Sequence, residues 1–206
     1  MYARTTTIDG KPEFLDKAMI YTRDRVMPAV SGMDGYVGIS MLADRTTGRS
    51  IITTSWEDAE ALRRSGPEVR GMRARATDIL QGTATVEEWE IILVHRAHPA
   101  VPGARTRVVW IQGDPSRLDG VRETFRLGTL PRIENLDGFC SVSVMADRRT
   151  GRCAVATTYV DSKTMEAAQE AALVIRRQFT LWTALTVTGA QAFELVLAHL
   201  RVPETV

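Results

Sequence analysis

The sequence of 206 residues lacks several features that mark particular protein classes. Two cysteines are too few for a disulfide framework, and no apolar run reaches the length of a membrane-spanning helix. A net charge of +1 without a basic tail argues against nucleic acid as a partner, and the polar start MYARTTTIDG argues against a secretory signal. We therefore expect a cytoplasmic globular protein that has neither nucleic acid nor a membrane as a partner.

The chain does contain a segment that occurs twice. MLADRTTGRS at 41–50 is matched by VMADRRTGRC at 144–153, which is an offset of 103 residues. Near the end of each copy the offset grows by one, so that Glu90 matches Glu194. Because the match continues across turns, helix starts and strands, it indicates an internal duplication of the whole unit.

The duplication divides the chain into a first repeat at 1–95, a linker at 96–106 and a second repeat at 107–206. Within each repeat, β-branched runs and helical patterns follow the order β-α-β-β-α-β, which is the ferredoxin-like motif. The predicted fold class is α+β, with one antiparallel sheet in each repeat. Since both faces of the strands are apolar, we expect the two sheets to pack face to face as an intramolecular α+β barrel, a pseudo-dimer within one chain. Further homodimerisation is left open.

Prolines mark the predicted limits of the first helix in each repeat. Pro12 and Pro115 suit a first helical turn, where the missing N–H has no partner in any case. Pro28 and Pro131 are expected to end these helices at the preceding residue, because proline disrupts a helix interior.

The repeated ten-residue segment is expected to form a β-hairpin. With Gly48 in the left-handed region, Arg45 would pair with Arg49, and the second repeat would do the same. The alternative is an anion contact formed by the loop arginines, namely Arg45, Arg49, Arg148 and Arg152. In this register Cys140 and Cys153 lie too far apart for a disulfide, so each is expected to be a small buried residue.

This register also predicts which strand residues share a face. It places Ser40 opposite Thr54 and Ser143 opposite Thr157, on a face beneath the helices that combines aromatic and hydroxyl side chains. Such a face is typical of an apolar pocket with polar anchors. The candidate substrate-binding residues are Tyr36, Ser40, Thr54, Trp56, Phe139, Ser143, Thr157 and Tyr159. The alternative is that the hydroxyl pairs stabilise the sheet and the aromatics fill the core.

His95 and His199 occupy matching positions in the last strand of each repeat. No cluster of Cys, Asp or Glu with metal-ligand spacing accompanies them, so ordinary strand-end histidines are favoured and no metal site is predicted.

The order of elements, the aromatic before an acidic helix start in TTSWEDAEAL and the closing strand EEWEI resemble the antibiotic biosynthesis monooxygenase family of the dimeric α+β barrel superfamily, in its tandem form. Trp56 matches the Trp of the haem-degrading members. The Asn and His that accompany that Trp have no match here, which disfavours haem degradation. For the arginine that cofactor-free oxygenases carry on the later helix, Arg73 and Arg75 are candidates.

The resemblance implies a cofactor-independent monooxygenase that acts on, or binds, an aromatic or quinol-type small molecule. Trp56 would shape the pocket, Ser40 and Thr54 would orient a phenol oxygen, and an arginine would stabilise the anion. No general base is evident, so no catalytic residue is assigned, and no cofactor is predicted. The alternatives are a non-catalytic binding protein for a hydrophobic small molecule and a structural or stress-related barrel protein.

Overall fold

A computed structural model describes residues 1–200 of the chain. The strands are β1 (Tyr2–Asp9), β2 (Tyr36–Ala43), β3 (Arg49–Trp56), β4 (Thr83–Arg96), β5 (Arg105–Gln112), β6 (Phe139–Asp147), β7 (Arg152–Tyr159) and β8 (Thr186–Leu200). The α-helices are α1 (Leu15–Tyr21), α2 (Met27–Ser31), α3 (Ala59–Arg64), α4 (Gly66–Leu80), α5 (Leu118–Thr124), α6 (Leu130–Glu134), α7 (Ser162–Ala167) and α8 (Gln169–Thr183). Short 3-10 turns at Pro12–Phe14 and Pro115–Arg117 precede α1 and α5.

The described residues divide into two compact units. Unit 1 consists of Met1–Trp89 with the strand residues from Glu194 onward, and unit 2 consists of Glu90–Phe193. Strands β4 and β8 therefore each contribute to both units: the end of β4 pairs with β6, and the end of β8 pairs with β2. The eight strands form a closed antiparallel barrel in the order β1-β3-β2-β8-β5-β7-β6-β4, which confirms the predicted α+β class and the pseudo-dimer within one chain. The predicted repeat boundaries stay a prediction.

The first helical region of each repeat does not end before its proline. In unit 1 a π turn at Thr22–Val26 joins α1 to α2, and Pro28 lies inside the first turn of α2. Unit 2 repeats the arrangement, with a π turn at Phe125–Thr129 before Pro131. A π turn widens the helix by one residue, so it relieves the contact between the proline ring and the preceding turn. The predicted helix ends were therefore wrong.

The predicted hairpin is confirmed, but its register was wrong by one residue. Gly48 has φ +79°, in the left-handed region that favours glycine. The last strand pair is Ala43 with Ser50, and the backbone N–H of Asp44 donates to the carbonyl of Arg49 at 2.8 Å. The Asp44 carboxylate accepts the Thr46 amide at 2.9 Å, so an Asx turn lengthens the loop by the residue that the prediction assigned to the strand.

Three of the loop arginines, Arg45, Arg49 and Arg148, pair with carboxylates inside their own units. Arg45 contacts Asp16 and Glu194, each at 2.8 Å. Its counterpart Arg148 contacts Asp119 at 2.9 Å and also Glu90. These contacts favour the structural role of the loop over the anion contact that was the alternative.

Both cysteines are free and buried. Cys153 pairs across the strands with Ala146, not with Asp147 as the predicted register required. Burial raises the pKa of the Cys153 thiol to about 11, so this side chain stays protonated at neutral pH and acts as a small apolar residue.

Each unit has its own hydrophobic core between its strands and its helices. In unit 1 the strand residues Ile39, Met41 and Trp56 pack against Leu15 of α1 and Leu80 of α4. Unit 2 repeats this packing with residues from β5, β6, β7, α5, α6 and α8. No helix in the described part of the chain is long and apolar enough to cross a membrane.

Candidate functional site

A cavity of about 170 Å³ lies in unit 2, between the strands and helix α8. Its apolar wall is formed by Val109, Ile111, Phe125, Ile133, Val155, Ala172, Leu173, Ile175, Phe179 and Ala190. Its polar lining is formed by Arg107, Thr129, Thr157, Tyr159, Gln169 and Arg176. An engineered cavity of about 150 Å³ suffices to bind benzene, so this space accommodates a compact aromatic ring.

The strands position three of the polar side chains together. Arg107 on β5 lies directly opposite Thr157 on β7, and Tyr159 follows two residues later on the same face. Tyr159 is 3% exposed. Burial raises the pKa of its phenol, and the nearby Arg107 guanidinium acts in the opposite direction. The phenol is therefore a neutral hydrogen-bonding group at physiological pH.

Helix α8 adds a second guanidinium to the cavity. Burial lowers the pKa of Arg176, and repulsion from Arg107 and Arg177 lowers it further. Within residues 1–200, neither Arg107 nor Arg176 forms a hydrogen bond or an ion pair. Since an arginine stays charged in proteins, the described lining of the cavity carries two positive charges and no carboxylate.

Thr129 contributes a buried hydroxyl from the π turn. The residue is 4% exposed, and its Oγ1 has no hydrogen-bond partner among the described residues. A buried hydroxyl without a partner costs free energy, so such groups are uncommon in native structures. Its counterpart in unit 1 is Val26, which has the same shape and no polar atom.

The counterpart of Arg107 in unit 1 is Arg4, which lies opposite Thr54. Arg4 is 5% exposed. Its Nε and Nη2 donate to Glu88 Oε1 at 3.0 and 2.8 Å, and its Nη1 donates to Ser65 Oγ at 2.9 Å. The Leu62 carbonyl accepts a further hydrogen bond at 2.8 Å. In unit 1 all three nitrogens of the arginine side chain thus donate to protein groups.

Unit 2 lacks the two side chains that hold Arg4. The repeat alignment replaces Ser65 by Ala168 and Glu88 by Ala192. Ala168 and Ala192 pack in one cluster with Tyr159, beside the cavity. The two alanines therefore lie next to the cavity of unit 2, at the positions where unit 1 has the Glu88 carboxylate and the Ser65 hydroxyl.

Three of the four predicted residues in unit 1 share the face beneath the helices. Tyr36 pairs with Trp56 because a β-bulge between Tyr36 and Gly38 shifts the register back by one residue. Trp56 is fully buried, and its Nε1 donates to Thr54 Oγ1 at 3.2 Å. Ser40 pairs with Thr53, so the predicted Ser40–Thr54 pair was wrong and Ser40 points to the opposite face.

In unit 2 the cavity is lined by Thr157 and Tyr159 but not by the other two predicted residues. Ser143 pairs with Ala156, so the predicted Ser143–Thr157 pair was also wrong. Phe139 lies in the core and stacks on His95, with ring centroids 6.3 Å apart.

The strand-end histidines make side-chain contacts within their units. His95 Nε2 lies 3.0 Å from Glu134 Oε1, and His199 Nδ1 lies 3.0 Å from the hydroxyl of Tyr36. Among the described residues, no group of three His, Cys, Asp or Glu side chains could hold a metal ion.

The sequence prediction missed Arg107, Arg176 and Thr129. A signal for the two arginines was available, because the offset of 103 aligns Arg4 with Arg107 and Arg73 with Arg176. An arginine repeated on a strand and on a helix is a stronger candidate than any single arginine.

No family model matches the chain. It is 41% identical over 211 residues to the uncharacterized protein Rv2557 of Mycobacterium tuberculosis, which covers all of this chain and 92% of that protein. It is 42% identical over 207 residues to the uncharacterized protein Rv2558 of the same organism, which covers all of this chain and 88% of that protein. The chain belongs to the family of Rv2557 and Rv2558.

Solved structures with the same fold are more distant in sequence. A protein from Fusobacterium nucleatum has a TM-score of 0.70 at 14% identity, over 97% of this chain and 94% of that chain. An anthrone oxidase-like protein has a TM-score of 0.66 at 12% identity, over 99% and 94%. A ferredoxin fold protein from Listeria monocytogenes related to antibiotic biosynthesis monooxygenases has a TM-score of 0.55 at 10% identity, over 95% and 94%. The fold is thus that of the antibiotic biosynthesis monooxygenases, in tandem form.

Proposed function

We propose that the protein binds an aromatic, quinol-type small molecule in the cavity of unit 2. The observation that carries this proposal is the cavity itself, which joins an apolar wall to a polar end containing Arg107, Arg176 and Tyr159. Ligand sites in proteins typically combine an apolar pocket with a few placed polar groups. The ring would lie against Phe125 and Phe179, and a phenol oxygen would lie at the polar end.

The charge of the cavity favours the ionised form of such a ligand. An arginine within about 4–6 Å lowers the pKa of an acidic group by roughly 1–3 units, and two arginines line this cavity. A bound phenol or quinol would therefore lose its proton to water more readily than in solution. Among the described residues, the lining contains no His, Asp or Glu that could act as a base.

A cofactor-independent monooxygenase is the second candidate, and the same two arginines favour it. An electron-rich aromatic anion can reduce oxygen itself, so that one oxygen atom enters the ring system as a carbonyl, replacing two hydrogens. The second oxygen atom leaves with those hydrogens as water. The site would supply binding and stabilisation of the anion rather than proton transfer. Structural likeness to an anthrone oxidase-like protein supports the fold of such an enzyme.

The binding proposal can be tested with 4-nitrophenol, whose ionised form absorbs visible light. We expect the wild-type protein to bind it saturably and to lower its pKa, as read from absorbance titrations. Arg107→Gln and Arg176→Gln should each reduce the shift while leaving the thermal melting curve cooperative. Absence of saturable binding to 4-nitrophenol and hydroquinone alike would contradict the proposal. Oxygen consumption in the presence of hydroquinone, measured with an oxygen electrode, then separates the two candidates. If the protein is a monooxygenase, the wild-type protein consumes oxygen faster than buffer alone and faster than the Arg107→Gln variant.

A further inference from the structure

The two repeats show what the arginine of the first strand requires as a partner. In unit 1 a single carboxylate oxygen, Glu88 Oε1, accepts from both Nε and Nη2 of Arg4. The Glu88 side chain is 55% exposed, so this carboxylate lies at the boundary between the protein interior and solvent. The guanidinium of Arg4 is itself buried, and the carboxylate compensates its charge.

Unit 2 keeps the arginine and removes the carboxylate. Arg107 has the same place opposite the threonine of the neighbouring strand, but Ala192 stands where unit 1 has Glu88. Arg73 of unit 1 is also retained, as Arg176, and this second guanidinium lines the cavity. An unpaired charge in a partly buried site destabilises the folded protein. If only stability mattered, we would expect unit 2 to have lost the arginine together with the carboxylate.

Removing the carboxylate and Ser65 also clears space beside the cavity. Ala168 and Ala192 pack with Tyr159, and Ala190, two residues before Ala192 on the same face of β8, lines the cavity. The polar end of the cavity is therefore next to the place that the Glu88 carboxylate occupies in unit 1. The apolar end extends below helix α8 to Phe179.

We propose that the ligand of unit 2 is an aromatic carboxylic acid, whose carboxylate takes in unit 2 the place that Glu88 takes in unit 1. This inference rests on the proposed function and names its ligand class. The carboxylate lies at the cavity mouth between Arg107 and Arg176, and the ring lies in the apolar part. The cavity volume of about 170 Å³ restricts the ligand to a compact, single-ring acid.

The test uses two ligands that differ by one group: 2,5-dihydroxybenzoate and hydroquinone. Calorimetric titration of the full chain should show that the acid binds at least about tenfold more tightly, because hydrogen bonds to charged groups exceed neutral ones by that order. Equal affinity for the two ligands would overturn the carboxylate assignment and leave the proposed function standing. Binding of neither ligand would overturn the carboxylate assignment, and it would overturn the proposed function as well if 4-nitrophenol also fails to bind.

A matched pair of variants then tests the place of the carboxylate. Ala192→Glu installs the unit 1 carboxylate, and Ala192→Gln adds a side chain of the same size without its charge. We expect Ala192→Glu to weaken binding of the acid about tenfold or more and to affect hydroquinone by less than about threefold. Ala192→Gln should change both ligands to a similar degree. If Glu and Gln weaken binding of the acid equally, the substitution acts by its size alone and the assignment is wrong.

Discussion

In unit 1 the strand arginine Arg4 is buried and held by Glu88, Ser65 and a backbone carbonyl, whereas in unit 2 its counterpart Arg107 faces a cavity beside Arg176. The framework around the two sites is alike. The hairpin turns, the π turns and the paired loop arginines recur in both units. The duplicated sequence therefore provides an internal comparison. Both copies keep the strand arginine, and only unit 1 keeps the carboxylate that pairs with it, so this local difference is the first place to look for binding.

The largest difference in stability should come from the aromatic residue at the end of the third strand. Trp56 is fully buried in the core of unit 1, so Trp56→Ala should lower the free energy of unfolding by about 3–5 kcal/mol. Tyr159→Ala should cost less than about half as much, because Tyr159 already borders a cavity and loses fewer contacts. Urea denaturation of the two variants measures both values. Equal losses would show that the two aromatics have the same structural role.

The next largest effect concerns the charge that holds Arg4. Glu88→Gln should lower the free energy of unfolding by about 1–3 kcal/mol, because it leaves a buried guanidinium without its carboxylate. The exposure of Glu88 keeps the loss toward the lower end of that range, since water replaces part of the contact.

Chemical denaturation measures this loss, and Glu68→Gln provides the matched control. Glu68 is exposed on helix α4 and is not among the hydrogen-bond partners of Arg4, so its replacement makes the same change in net charge without removing a contact to the arginine. Ala192→Glu should do the reverse in unit 2 and stabilise the ligand-free protein. A destabilising Ala192→Glu would mean that Arg107 does not accept the carboxylate that Arg4 does.

Much of the fold could be predicted from the sequence because the repeats give each element twice. The prediction placed Tyr36 and Trp56 on one face, and the structure agrees. It misplaced Ser40, because two local irregularities act together: an Asx turn at Asp44 shifts the register by one residue and a β-bulge after Tyr36 shifts it back. The alternation of side chains between the two faces of a strand does not reveal an Asx turn or a β-bulge.

The site itself was less predictable than the fold. Thr157 and Tyr159 were correctly placed together beneath the helices, where they line the cavity. The match between Arg4 and Arg107 identifies a repeated arginine but does not show whether its guanidinium has a partner, and nothing in the sequence shows that the Thr129 hydroxyl is buried. Whether an arginine or a buried hydroxyl has a partner depends on three-dimensional packing, and within residues 1–200 neither Arg107 nor Thr129 Oγ1 has one.

A smaller effect is expected at the π turn, where the two units differ by one polar atom. Thr129→Val should raise the free energy of unfolding by about 1 kcal/mol, because it removes a buried hydroxyl that has no partner among the described residues. Val26→Thr, the converse change in unit 1, should lower it by a similar amount. Thermal unfolding without ligand measures both. If Thr129→Val destabilises the protein, the hydroxyl is satisfied by water or by a bound molecule, which would itself identify an occupant of the cavity.

The smallest effect should be the pH dependence from the hairpin of unit 2. The Thr150 hydroxyl donates to Asp147 at 2.6 Å and the Arg149 amide donates at 2.9 Å, and these bonds lower the pKa of the Asp147 carboxyl. A lowered folded-state pKa stabilises the fold above the unfolded value of about 4, and this stabilisation is lost as the pH falls through the folded value. Asp147→Asn should therefore cost about 0.5 kcal/mol at pH 7 and progressively less below pH 4. Urea denaturation at pH 7, 5 and 3.5 measures the trend, with the same substitution in a Thr150→Val background as the control. The Thr150 hydroxyl is the largest cause of the lowered Asp147 pKa, so the pH dependence should become smaller when Thr150 is replaced by Val. A pH dependence that stays unchanged in the Thr150→Val variant would instead assign the lowered pKa to the backbone amides.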